Sequence, residues 1–263
     1  MGHTQAHRTE DYLRFIAKIV GKYKESTYEL MQMAAGHNVL DVGCGPGTDT
    51  VALGHLVGET GEVMGIDLDA AHIAQAEEKA QAAGMAGWIH HRVADASDLP
   101  FADDTFDASR SERLFQHLPQ AEPALAEMVR VTKPGGWIVL LDTDWGSTST
   151  ATSEVDIVQR LSHFHATYGF ANGYAGRELL RMVHEQHLTN IHIEMAPIFV
   201  TDLAISRRGA MMDETEEAAL AAGVVTQEEL DRLHRDLETR DQAGHYFAFA
   251  NQVLVAAQKA ELR

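Results

Sequence analysis

The chain is short of cysteine, of positive charge and of long apolar stretches, and each shortage excludes something. A single cysteine, Cys44, occurs in 263 residues, so no internal disulfide can form and nothing points to a disulfide-built secreted domain. Lysine and arginine number 21 against 39 aspartates and glutamates, a formal net charge of −18, and the basic residues nowhere form a block. Proteins that grip phosphate backbones carry a basic face, so nucleic acid is not an expected partner. No apolar run approaches the length of a bilayer span, and the first ten residues are polar rather than signal-like. The expectation is a soluble, cytoplasmic protein with no membrane partner. What remains is ordinary: 45% hydrophobic and 23% charged residues, sufficient for one large α/β domain with a substantial core.

Hydrophobic periodicity predicts alternating helices and strands. Tyr12, Leu13, Phe15, Ile16, Ile19 and Val20 recur at helical spacing, and a second helix with Tyr28, Leu30, Met31 and Met33 ends near Gly36. A short strand at residues 39–42 precedes a helix from Thr48 to Val57. The strand Val63–Asp67 leads to Asp69, which can cap an Ala-rich helix over residues 70–83. Strands follow at 88–93 and 106–111, then a helix at 121–131 and an apolar strand at 137–142. Beyond these the pattern gives a helix at 173–187, a strand at 191–200, a purely helical stretch at 205–241 and a last alternating strand at 246–258. Seven strands separated by helices of this length predict a doubly wound, mostly parallel sheet. The expected organisation is one domain over residues 1–263. It has N-terminal helices at 1–35, a cofactor-binding core at 36–142 and a helical insert at 205–241 before the last strand.

The chemistry is concentrated in residues 39–48, Val-Leu-Asp-Val-Gly-Cys-Gly-Pro-Gly-Thr. A strand, a glycine turn and a helix in that order let the backbone approach a ligand closely and point unpaired N–H groups at it. A dinucleotide fingerprint reads G-x-G-x-x-G, whereas this loop reads Asp-x-Gly-x-Gly-x-Gly, with Asp41 two residues before Gly43. Asp67 stands 20 residues after Gly47 at the end of the second strand. An acid there can accept from both hydroxyls of a ribose, a geometry common to several adenosine-containing cofactors. Leu68 would then lie against the adenine.

The loop with its flanking acid resembles the first motif of the class I S-adenosyl-L-methionine-dependent methyltransferases. Leu99-Pro100-Phe101 through Phe106-Asp107 is similar to the L-P-F-x-D-x-x-F-D signature of the group that includes the ubiquinone and menaquinone C-methyltransferases. The resemblance covers roughly residues 36–142 and implies a Rossmann-like methyltransferase fold. It implies S-adenosyl-L-methionine as cofactor, S-adenosyl-L-homocysteine as product, and a small-molecule substrate, with a place in quinone or secondary metabolism. Carried over position by position, it assigns cofactor contacts to Asp41, Gly43, Cys44, Gly45, Gly47 and Thr48. Asp95 would take the adenine amine, the Ala96 backbone N–H a ring nitrogen, and the Ser111 carbonyl the methionine amino group. The helical insert looks like a cap over the substrate, or else a hairpin packed on the sheet edge.

Outside those motifs the readings rest on chemistry alone. His117 is a candidate catalytic base, since imidazole titrates near neutrality; a structural role is the alternative. Trp145 is a candidate aromatic wall for substrate or sulfonium, and Tyr12 a candidate substrate contact on the first helix. His163 and His165, with Asp142 and Asp144, lack the spacing of a metal site, and no metal is expected. No Asp/Asn-Pro-Pro-aromatic motif follows the fourth strand, a second reason to exclude nucleobases. A methyltransferase fold used as a scaffold or cyclase, and a methyltransferase acting on proteins, remain as alternative functions, and the oligomeric state is open. A nicotinamide oxidoreductase is opposed by the loop spacing and by Asp41.

Overall fold

A computed structural model describes residues 23–261, so Tyr12 and the first predicted helix lie outside the described residues. Residues 23–30 are helical. The strands are β1 (Asn38–Val42), β2 (Glu62–Asp67), β3 (Ile89–Val93), β4 (Phe106–Glu112), β5 (Thr132–Thr150), β6 (Thr189–Val200) and β7 (Ala248–Gln258). They form one sheet in the order β3-β2-β1-β4-β5-β7-β6. β7 runs antiparallel to both neighbours, while β1 to β5 pair in parallel. The helices are α1 (Thr48–Val57), α2 (Ala70–Ala82), α3 (Glu122–Val131), α4 (Val155–Tyr168), α5 (Ala175–Glu185), α6 (Leu203–Gly209), α7 (Met212–Ala221) and α8 (Gln227–Gln242).

The sheet is covered on both faces, which is why its strands read as nearly unbroken apolar runs. Side chains alternate between the faces. Leu40, Val42, Ile138 and Leu140 pack with Leu125, Met128 and Leu179 on one side. Val39, Val63 and Val139 pack with Leu53 and Val57 on the other. A third core lies apart, where Ile157, Leu161, Leu203, Leu230, Leu233 and Leu237 join α4 to the later helices.

The doubly wound, mostly parallel seven-stranded sheet is as expected, and so is the Asp69 cap, whose side chain accepts from the Ala71 N–H. Three local readings change. The helical stretch 205–241 is three helices, broken at Met211 (φ 48) and at the Thr226–Glu229 capping box. Strand β5 continues to Thr150 because β7 pairs with it along that length, with a register shift between Asp144 and Ser149. Helix α4 was not anticipated, because its His163 and His165 draw the eye while Ile157 and Leu161 carry the period.

Because β7 is antiparallel, its first residues meet the far ends of β5 and β6: Ala248 pairs with Thr150 and Val200, and Gln252 with Thr143. The start of β7 therefore sits at the carboxyl edge of the parallel strands. That is the edge where open α/β sheets bind ligands.

Candidate active site

Two spaces open along this edge. The first is a cleft of about 640 Å³ over the ends of β1, β2 and β4. The Gly43 and Cys44 N–H groups donate to the Ile66 carbonyl at 2.8 and 2.9 Å, folding the glycine loop across the end of β2. Gly45 N–H donates to Asp67 Oδ2 at 2.9 Å, and Asp69 N–H donates to Oδ1 at 2.9 Å. Gly45 (φ 51) has nothing within 4 Å of a built Cβ, so the bare backbone faces the cleft. At Gly47 (φ 72) a Cβ would fall 2.6 Å from the Ala76 methyl, so glycine is required for α1 to start against α2.

Of the residues singled out in the sequence, Gly43, Gly45, Asp67, Leu68 and His117 line this cleft. Leu68 is 72% exposed there. The others stand around it. Cys44 is buried, its thiol raised above the ordinary range chiefly by that burial. Thr48 accepts from Lys79 Nζ at 2.9 Å. Asp95 is exposed at the end of β3, where the Ser97 N–H and hydroxyl donate to it and hold its carboxyl below the ordinary range. Ala96 belongs to the core and Ser111 is buried within β4.

Asp41 lies beneath the cleft rather than in its wall. Its Oδ1 faces Arg110 Nη1 at 3.3 Å, and Arg110, 1% exposed, also reaches Asp49 (3.3 Å) and Glu112 (2.7 Å). Tyr28 covers the guanidinium and donates to Asp49 at 2.6 Å. Burial pushes the Asp41 carboxyl up. Asp49 is held well down: burial opposes this, but Arg110 and Lys24 outweigh it. Glu112 was not anticipated. It joins this ion cluster to the cleft, which it lines; among the described residues its buried Oε1 accepts no hydrogen bond but pairs at longer range with Lys24 (3.5 Å) and Arg113 (3.6 Å).

The second space is a pocket of about 210 Å³, floored by β5, β7 and β6 and walled by α4, α6, α7 and α8. Its lining is mainly apolar, with Trp145, Leu161, Ile198, Leu233 and Phe249 among the contributors. Trp145 stacks on Phe170, with centroids 4.7 Å apart and planes 11° apart, and stands edge-on to His165. Arg113 and Gln116 line both spaces.

Gln116 organises that shared wall. Its Oε1 accepts from Trp145 Nε1 at 2.8 Å. Its Nε2 therefore carries the donors, directed at the Arg113 carbonyl (3.2 Å) and at His117 Nε2 (3.1 Å). His117 Nε2 then accepts, which puts the ring proton on Nδ1 and engages the lone pair that a general base would use. Burial, and then Arg113, lower the His117 pKa and keep the ring neutral. The backbone of this turn is tied to β5, since Gln116 N–H donates to Asp142 Oδ2 at 3.3 Å. The carboxyl of Asp142 is pushed up to about 7 by its burial.

The histidines and acids considered for a metal site have other partners. His163 meets the Tyr174 hydroxyl at 2.9 Å, His165 meets Thr215 at 2.7 Å, and Asp144 is held by Arg177. Among the described residues no helix is long and apolar enough to cross a membrane.

Comparison with known proteins agrees with this geometry. Residues 40–140 match the family model described as a methyltransferase domain. Over 240 residues the chain is 27% identical to an uncharacterized 37.1 kDa protein in transposon TN4556 of Streptomyces fradiae, covering 90% of this chain and 66% of that one. Over 122 residues it is 38% identical to a demethylmenaquinone methyltransferase of Bacillus licheniformis, covering 46% of this chain and 51% of that one. The chain thus spans between half and two thirds of the length of these curated relatives. The geranyl diphosphate C-methyltransferase of Streptomyces coelicolor A3(2) shares the fold, with a TM-score of 0.60 at 18% identity over 95% of this chain and 83% of that one. Residues 40–140 thus match a methyltransferase domain, and the fold around them is one shared with S-adenosyl-L-methionine-dependent methyltransferases.

Proposed function

We propose that the chain transfers the methyl group of S-adenosyl-L-methionine to a small, largely apolar molecule held in the second, apolar pocket. The observation that carries this reading is the shared wall: Arg113 and Gln116 border both the cleft and the cavity. When bound, the cofactor supplies a methyl on a positively charged sulfur, already activated for displacement. The protein has to align the acceptor and exclude water.

The residues present fit that cofactor. Asp67 keeps lone pairs beyond those used by the Gly45 and Asp69 N–H groups, which suits ribose hydroxyls, and Leu68 offers an apolar face to adenine. Asp95 and Ala96 would approach the adenine edge from β3. Glu112 lines the cleft and its Oε1 accepts no hydrogen bond from the described residues, only longer ion pairs from Lys24 (3.5 Å) and Arg113 (3.6 Å), which suits the ammonium of the methionine portion. Trp145, held by Gln116 and Phe170, gives the acceptor a fixed aromatic wall. His117 would shape the cleft through Gln116 rather than take a proton at Nε2. The mainly apolar lining of the second space favours a small acceptor from quinone or secondary metabolism over a polar protein side chain, and the helices over residues 203–242 act as a cap along one side of it.

Calorimetry with S-adenosyl-L-methionine, S-adenosyl-L-homocysteine and NAD tests the cofactor. Saturable binding of the first two and none of NAD is expected, and NAD binding alone overturns the reading. With methyl-labelled cofactor and a panel of phenols and quinols, label should enter the small-molecule fraction. Labelling of added protein only would overturn the choice of substrate class.

A further inference from the structure

Among the described residues, four polar side chains that line the apolar cavity carry buried atoms with no hydrogen-bond partner, and nothing in the cofactor site uses them. Gln252 on β7 is 0% exposed, and neither its Oε1 nor its Nε2 has a partner. Glu216 on α7 is 5% exposed. Its Oε2 accepts from Arg207 and His234, each at 2.8 Å, while its Oε1 has no partner. His165 on α4 is 6% exposed and uses Nδ1 toward Thr215, leaving Nε2 free. Thr148 Oγ1 on β5 is likewise unpartnered. All four residues line the same cavity. Buried polar atoms are nearly always hydrogen-bonded, so four elements converging with unpaired atoms on one apolar space describe a ligand's polar end.

The chemistry of the four atom sets narrows that ligand. Glu216 Oε1 and Gln252 Oε1 can accept, Gln252 Nε2 can donate, and the Thr148 hydroxyl and His165 Nε2 can each take either role. A ligand that completes the set must offer a donor and an acceptor together. A carboxylate or phosphate offers acceptors alone, leaves both Oε1 atoms unpaired and places an anion beside the Glu216 carboxylate. An alkylammonium offers donors alone and leaves Gln252 Nε2 unpaired. Arg207 cannot compensate an anion, since it is already bonded to Glu216 and Asp213. Among the described lining residues Arg113 is the one lysine or arginine, and it stands at the wall shared with the cofactor cleft.

We propose that the cavity selects a neutral molecule whose hydrocarbon body carries a hydroxyl or amide group, and rejects anionic and cationic counterparts of the same size. This rests on the methyltransferase reading for its meaning as a substrate site, but its binding test stands independently. Sites that pair a ligand's OH or NH discriminate strongly against analogues that leave them unpaired.

The test is calorimetry of the 263-residue chain, with and without saturating S-adenosyl-L-homocysteine, against octanamide, 1-octanol, octanoate, octyl phosphate and octylamine. Octanamide and octanol should bind at least tenfold more tightly than the three charged probes. Gln252→Leu, which keeps the volume and removes the amide, should reduce that preference to less than threefold without altering the affinity for S-adenosyl-L-homocysteine. Should that variant not fold, Thr148→Val serves as the second, with at least a threefold loss for octanol and none for octanoate. The proposal is overturned by a charged probe binding as tightly as octanamide, by a preference unchanged in the variants, or by failure of all five probes to bind. A protein that binds no S-adenosyl-L-homocysteine yet keeps the probe preference would remove the methyltransferase reading and leave the cavity's selectivity standing.

Discussion

The two halves of the carboxyl edge are built by different means. Over β1, β2 and β4 the ligand-facing groups are mostly backbone: glycine turns, N–H groups and Asp67, which braces the loop through Gly45. Over β5, β7 and β6 they are side chains, Thr148, His165, Glu216 and Gln252, brought together from β5, α4, α7 and β7. A backbone cradle needs consecutive residues with particular φ angles and therefore leaves a contiguous motif. A side-chain cavity needs only that packing bring distant positions together, so any one of them can be changed without disturbing the rest. One half can stay the same while the other is retuned to a different acceptor.

The largest expected effect falls beneath the cofactor half. Arg110→Met leaves Asp41, Asp49 and Glu112 without their buried cation. Removing one partner of a buried ion pair costs about 3–5 kcal/mol, and urea unfolding at pH 7 should show a loss of that order. A loss under about 1 kcal/mol, the size of an exposed pair, would show that the cluster does not brace the cleft.

Next comes a separation of the two spaces. Asp67→Ala removes the acceptor for Gly45 N–H and for the ribose, and hydrogen bonds to a charged group contribute about 1.5–3 kcal/mol each. Affinity for S-adenosyl-L-methionine should fall at least tenfold, while octanamide binding to the cofactor-free protein stays within twofold. Asp95→Ala should cost less, because the contact proposed for the neighbouring Ala96 backbone would be untouched. Equal losses of both ligands would mean that cleft and cavity are one cooperative site, and the comparison above would fail.

A further test concerns the wall between the halves, where Asp142 anchors Gln116. Its carboxyl titrates at about 7 in the folded chain against about 4 when unfolded, so the folded state holds the extra proton between those values. The stabilisation linked to that proton is complete below pH 4 and is lost as pH rises through 7. Asp142→Asn cannot titrate, so its melting temperature relative to the parent should rise from pH 5 to pH 8. Parallel profiles across that range would show that Asp142 does not titrate there.

How much was legible from residue order follows the same division. The alternation of Val39, Leu40 and Val42, the Asp69 cap and the glycine loop are local features, and the sheet, the cleft and the residues Gly43, Gly45, Asp67 and Leu68 followed from them. Glu112 escaped notice because an acid at the end of a strand carries no local mark; its value lies in contact with Arg110. His117 stood out as a titratable residue near the loop, yet its chemistry depends on which way the Gln116 amide points, and Trp145 decides that from another strand.

Gln252 is the clearest case. In sequence it is one polar residue in an alternating strand, indistinguishable from one that faces water. Its burial arises because β7 runs antiparallel between β5 and β6 and because α4 and the helices over residues 203–242 close over its first residues. The amino-acid order alone determined the parallel sheet and the cofactor cradle, since both are written in short-range periodicity and backbone stereochemistry. The second cavity, its polar atoms and the wall joining it to the cleft were decided only by tertiary packing, because burial belongs to a side chain's surroundings and not to the side chain.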